Sequence, residues 1–246
     1  MMAPDAARVD YLLRLGDDSL ILAQRLSEWC GHAPALEVDL SLANISLDLV
    51  GQATLLLGDL GDADQLAFHR DVLDFRNCIL VEQPNGDFAQ TIARQLLYST
   101  WQHMLLQRLV NSSDKFLTEY AAKAVKEVAY HRELVAEWTV RLGDGTEESA
   151  RRMADGLDWC WRFIPELFEV DETLQQLIDS GIAADPREFE DEYRSAVAKV
   201  LEEASLEPPA DQRPIVGGRR GHHSEHLGHI LAPMQFLQRT YPDAKW

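Results

Sequence analysis

Two short segments, Asp48-Leu49-Val50-Gly51 and Val128-Ala129-Tyr130-His131, invite a reading as metal-ligand pairs, because side chains three residues apart share one face of a helix. A pair of irons inside a helical bundle needs one carboxylate from each of two helices and Glu-x-x-His from each of two others. Laid over that requirement, the chain offers Glu28 for the first carboxylate and Ser99 in place of the second. Asp48 stands where a glutamate belongs, with Gly51 in its histidine's place; His131 is present, with Val128 in its glutamate's place. Glu28, Asp48 and His131 cannot grip two irons, since bridging carboxylates and a second imidazole are missing. The expectation is therefore a vestigial site, with no catalytic and no metal-binding residue in this chain. The three survivors are expected near one another, neutralised by hydrogen bonds or by Arg25, Arg94 or Lys126. The plainer alternative makes His131 a satisfied core histidine and Asp48 a paired mid-helix acid.

A second stretch with chemical potential is Pro214-Ile-Val-Gly-Gly-Arg219-Arg220-Gly-His222-His223-Ser-Glu-His226, the only strongly basic run. Glycines and arginines at a helix N-terminus offer free N–H groups and a dipole suited to an anion. Arg219 and Arg220 are accordingly candidates for the phosphates of coenzyme A. The competing reading is a capping turn whose arginines pair with acids of this chain or of a partner. His222, His223, His226 and His229 with Glu225 can be read as a surface metal site, His222 with His226 and Glu225 with His229 being i, i+4 pairs, but no catalytic carboxylate set accompanies them. No phosphate-binding glycine loop, Gly-x-Ser-x-Gly elbow or Cys/His nucleophile pair is present.

The elements that carry these residues read as helices. Periodicity predicts helices over 9–30, 37–57, 64–76, 88–110, 114–142, 147–168, 171–180 and 186–205, and a last one from 222 or 224 to 240. Leu117, Ala121, Ala124, Val128, His131, Val135, Trp138 and Leu142 form a clean seam, and Phe88, Ile92, Leu96, Ser99, His103, Leu106 and Val110 another. The segment 37–57 carries two apolar stripes, Leu40, Ala43, Leu47, Val50 and Leu57, and Leu42, Ile45, Leu49, Ala53 and Leu56. Between them runs a polar line of Ser41, Asn44, Asp48 and Gly51, which turns Asp48 inward. Trp159-Cys160-Trp161-Arg162-Phe163-Ile164 holds more large apolar side chains than one helix face buries. Either that helix is enclosed all round or one side is covered by a partner protein, which makes Trp161 and Arg162 interface candidates. Long helices joined by short connections imply an all-α, ferritin-like four-helix bundle with additional C-terminal helices, in a single domain over 1–246.

Composition narrows the partners. With 23 basic against 41 acidic side chains the net charge is −18, a field that repels nucleic acid and anionic membrane. Hydrophobic residues at 46% exclude wholesale disorder. The three cysteines, Cys30, Cys78 and Cys160, are far apart and odd in number, which reads as reduced thiols in a cytoplasmic protein. The start lacks a signal-peptide pattern, and no uninterrupted apolar run reaches the ~18 residues of a membrane span.

The segments LRLGDDSLILAQRLSEWCGHAPALEVDLSLANISLDLVGQA, VEQPNGDFAQTIARQ, KEVAYH and GGRRGHHSEHLG resemble the structural C subunits of bacterial phenylacetyl-CoA epoxidases, the ring 1,2-phenylacetyl-CoA monooxygenases. The resemblance covers essentially the whole chain, in length and motif order. It implies a ferritin-like protein that scaffolds a related catalytic A subunit, where the di-iron centre lies. It further implies other members of the complex, among them an NADPH-dependent iron–sulfur flavoprotein reductase, an acyl-CoA near the boundary between subunits, and a role in phenylacetate catabolism. The catalytic sister carries Lys-Glu-Glu-x-x-His where this chain has Lys126-Glu127-Val128-Ala129-Tyr130-His131. Two other classes stay open from the residues alone: an independent ferritin-like metal-binding protein and a mononuclear metalloenzyme.

Overall fold

A computed structural model describes residues 4–242 and 244. Among the described residues ten α-helices follow one another: α1 (Pro4–Ser27), α2 (Leu36–Gly58), α3 (Ala63–Phe68), α4 (Ile79–Glu82), α5 (Phe88–Leu109), α6 (Lys115–Gly143), α7 (Glu147–Trp161), α8 (Glu172–Asp179), α9 (Glu190–Glu203) and α10 (Glu225–Thr240). There is no strand among the described residues. The fold is all-α, with the complement of long helices that a ferritin-like protein requires.

Side-chain caps explain several of the starts. Asp87 accepts from the Gln90 amide at 3.0 Å and opens α5; Asp114 accepts from Phe116 at 2.8 Å and Leu117 at 3.2 Å and opens α6. Thr146 and Ser149 cap each other's backbone at α7. Several predicted helices are shorter than their periodicity. The first ends at Ser27, three residues before Cys30. The stretch 64–76 divides into α3 and a 3-10 turn, Val72–Asp74. Trp161 ends α7, and Ile164–Phe168 continues as a 3-10 turn; Pro186–Phe189 is likewise a 3-10 turn before α9.

The chain forms two compact units. One comprises Asn85–Ile215 with the start of α1; the other comprises Arg8–Pro84 with the segment from Val216 onward. In the first, α5 packs on α6 and α7. Phe88 and Trp138 meet edge to face at 5.2 Å between centroids. α7 lies so close to α5 that a Cβ at Gly156 would stand 2.7 Å from the Gln90 Cα, so only glycine fits there. Phe168 packs against Phe189 and Tyr193 at 5.9 and 5.2 Å.

In the second unit α1 and α2 are neighbours. The Ser46 hydroxyl donates to the Ala23 carbonyl at 2.9 Å, and a Cβ at Gly16 would reach within 2.8 Å of the Leu57 side chain. α10 returns to α3 through Gln235, whose amide donates to the carbonyls of Ala67 and Arg70 at 3.1 and 3.0 Å. The four long helices are thus distributed as α1 with α2 in one unit and α5 with α6 in the other.

Candidate functional site

α1 runs through Leu15-Gly16-Asp17-Asp18-Ser19-Leu20, and both aspartates have no solvent exposure. A buried carboxylate is strongly unfavourable unless paired and hydrogen-bonded. The unit meets that cost with segments distant in sequence. Arg70 grips Asp17 with both terminal nitrogens, and the Arg76 amide donates to the same carboxylate at 2.8 Å. Burial pushes the Asp17 pKa up, against the lowering by the Arg70 guanidinium and the Arg76 amide. Asp18 accepts from the Cys78 amide at 2.7 Å and from Arg219 at 2.8 Å.

Arg219 also donates to the carbonyls of Arg14 at 3.2 Å and Arg76 at 3.1 Å, and its side chain is only 10% exposed. The glycines around it allow that depth. A Cβ at Gly218 would sit 2.3 Å from the Asn77 oxygen, and Gly221 adopts φ 79 beside the Leu73 carbonyl.

A third buried carboxylate, Glu82, closes the lattice. It accepts from Asn77 at 2.9 Å and from the Ser224 amide at 2.6 Å. His223 reaches it with Nδ1 at 2.8 Å, while its Nε2 meets the Phe75 carbonyl at 3.0 Å. A carbonyl only accepts, so Nε2 carries a proton, and a carboxylate oxygen facing Nδ1 then requires a second proton between the two. Arg25 donates to the Glu82 backbone carbonyl at 3.1 and 2.8 Å. Every one of these carboxylates faces donors, and together the contacts bind the C-terminal segment to α1 and α4.

Arg219, the coenzyme A candidate, directs its guanidinium at Asp18 and two carbonyls, the pairing that the capping-turn reading describes. Arg220 is exposed, on the rim of the same turn. Asp17, Asp18 and Glu82 do not stand out as site residues in the sequence. The available signal is an acidic doublet inside an apolar helix, with lone arginines far along the chain.

The residues of the expected vestigial site divide between the units. Glu28 lies one residue past the end of α1, exposed, and pairs with Arg25 at 3.1 Å. Asp48 is half-buried on α2, at the edge of the covered face rather than its middle. In the other unit, Ser99, Val128 and His131 are fully buried on α5 and α6. The Ser99 hydroxyl and both amide atoms of Gln95, one turn away, have no hydrogen-bond partner among the described residues. Arg94 donates to the Asn85 side chain at 2.7 Å, and Lys126 is exposed. No group of three or more His, Cys, Asp or Glu among the described residues is arranged to hold a metal. By residue type, Gly51 and Val128 bring no donor atom and Ser99 only a hydroxyl to the positions where a di-iron centre uses a histidine and two carboxylates.

Trp161 and Arg162 are half-buried, and the Arg162 guanidinium lies 5.4 Å from the ring centroid of the exposed Trp159. His103, on α5, meets Arg132 at 3.2 Å; burial and that guanidinium lower its pKa. Burial pushes the Cys160 thiol up to about 12.

A profile of the phenylacetic acid catabolic protein family matches residues 2–246. The chain is 49% identical over 243 residues to the C subunit of the 1,2-phenylacetyl-CoA epoxidase of Escherichia coli strain K12, covering 96% of this chain and 98% of that one. The chain belongs to the phenylacetic acid catabolic protein family.

Proposed function

We propose that the chain is the non-catalytic, structural subunit of a multicomponent di-iron monooxygenase that epoxidises the aromatic ring of phenylacetyl-CoA in phenylacetate catabolism. It scaffolds and stabilises a catalytic ferritin-like subunit that holds the iron, and it works in the cytoplasm beside the electron-supplying reductase. One observation carries this reading. At the positions where a bundle would present iron ligands, Gly51 and Val128 have no donor atom, Ser99 has only a hydroxyl, and Glu28 lies exposed beyond α1, tied to Arg25. The buried carboxylates of Asp17, Asp18 and Glu82 face arginine or histidine and serve cohesion.

Reconstitution tests it. This chain and the catalytic subunit, purified separately and then mixed, are assayed for oxygen-dependent conversion of phenylacetyl-CoA with the reductase and NADPH. The expected outcome is no turnover by this chain, weak or unstable turnover by the catalytic subunit, and full turnover by the mixture. Turnover by this chain alone overturns the proposal.

A further inference from the structure

The apolar residues of α2 fall on two opposite faces. Val38, Leu42, Ile45, Leu49, Ala53 and Leu56 are buried. The other face repeats at alternating steps of four and three, Leu36, Leu40, Ala43, Leu47, Val50 and Thr54, the spacing of a helix–helix seam. Along it Leu36 is 71% exposed, Leu40 57% and Leu47 68%. Isolated exposed leucines are ordinary, but a continuous row on one helix marks a surface that something covers.

Gly51 borders this row in the middle of the helix. A Cβ there would meet nothing within 4 Å, so no contact among the described residues requires glycine, although glycine weakens a helix interior. A second helix approaching along the seam supplies the reason, since a missing side chain lets two backbones come close.

Charge selects the occupant. α2 carries Glu37, Asp39 and Asp48 and no basic residue. A second copy would set these acids against the same acids, on a chain of net charge −18. A bilayer would have to accept three carboxylates, although α2 is otherwise apolar and long enough to cross one. We propose that the exposed face of α2 docks a helix of the catalytic subunit, apolar at the same four–three spacing and flanked by Lys or Arg. This rests on the reading of the chain as a subunit.

The test uses the full chain and the catalytic subunit, with Leu40→Lys/Leu47→Lys, Leu40→Glu/Leu47→Glu and Gly51→Leu variants. Because these positions are open, thermal midpoints of the isolated double variants should match the wild type, and Gly51→Leu should raise the midpoint. Affinity for the catalytic subunit should fall at least tenfold in all three, further for lysine than for glutamate, and wild-type affinity should fall with salt. Unchanged affinity of every variant overturns the α2 assignment while leaving the subunit reading intact. Failure of the wild type to bind overturns the subunit reading itself. Self-association of the wild type that Leu47→Glu abolishes, or sedimentation with phosphatidylglycerol vesicles, assigns the face to another occupant and overturns the proposal.

Discussion

Arg219 donates to the fully buried carboxylate of Asp18 at 2.8 Å across 201 residues of sequence. A run of Gly, Gly, Arg and Arg that looks like an anion cradle is in this chain an internal clamp. Arg219 joins the C-terminal segment to α1, and His223 on Glu82 joins it to α4.

Removing the clamp should be costly. Arg219→Met leaves the buried Asp18 with the Cys78 amide, and breaking one side of a buried pair costs about 3–5 kcal/mol. Arg219→Lys should recover only part, because an ammonium cannot reach Asp18 and two carbonyls at once. Urea unfolding measures both, and acyl-CoA affinity of whatever folded complex remains should be unchanged.

Glu82→Ala should cost a similar ~3–5 kcal/mol, since it strands His223, Asn77 and the Ser224 amide in a dry interior. Nitrogen-15 chemical shifts of the His223 ring report its protons directly. They should place hydrogen on Nε2 and a proton shared with or held at Nδ1; an Nε2 without hydrogen would contradict the geometry.

The thiols should divide by burial. Cys30 is exposed, whereas Cys78 and Cys160 are buried, with the Cys160 thiol pushed up to about 12 by burial. Ellman's reagent at neutral pH should titrate one thiol quickly in the folded chain and three after denaturation.

His103 sets a pH dependence. Its folded pKa is lowered, so the unfolded chain binds the proton more readily, and stability present above the unfolded value of about 6.5 is lost as pH falls below it. The His103→Gln variant should show a flatter decline between pH 7 and 5 than the wild type. Parallel curves would contradict the assignment.

Ser99→Ala removes a buried hydroxyl without a hydrogen-bond partner among the described residues, so stability should rise by about 1 kcal/mol and reconstituted turnover should persist. A loss of activity with intact folding would give Ser99 a chemical role that the proposed function denies it.

Helix type and most boundaries are readable in the residues, best where an Asp or Thr cap announces the start, as at α5, α6 and α7. The ends are harder. Gly31 and Pro34 suggest a stop beyond Cys30, yet α1 ends at Ser27, and four-residue α4 is too short for any periodicity to register. Periodicity also does not decide which of the two α2 stripes is covered. Both look alike as patterns, and only packing shows that Leu42 and Leu49 are inside while Leu40 and Leu47 are not. That Gly51, Ser99 and Val128 carry no carboxylate or imidazole, by contrast, is a matter of residue type and needs no coordinates. The acid lattice is invisible in the sequence for a physical reason: Asp18 and Arg219, or Glu82 and His223, become partners only through tertiary folding.

Iron analysis of this chain, expressed in iron-replete cells and purified apart from its partner, tests the central claim most directly. Iron far below one atom per folded chain is the expected result, with two per catalytic subunit prepared in parallel. Two tightly bound irons in this chain would contradict it.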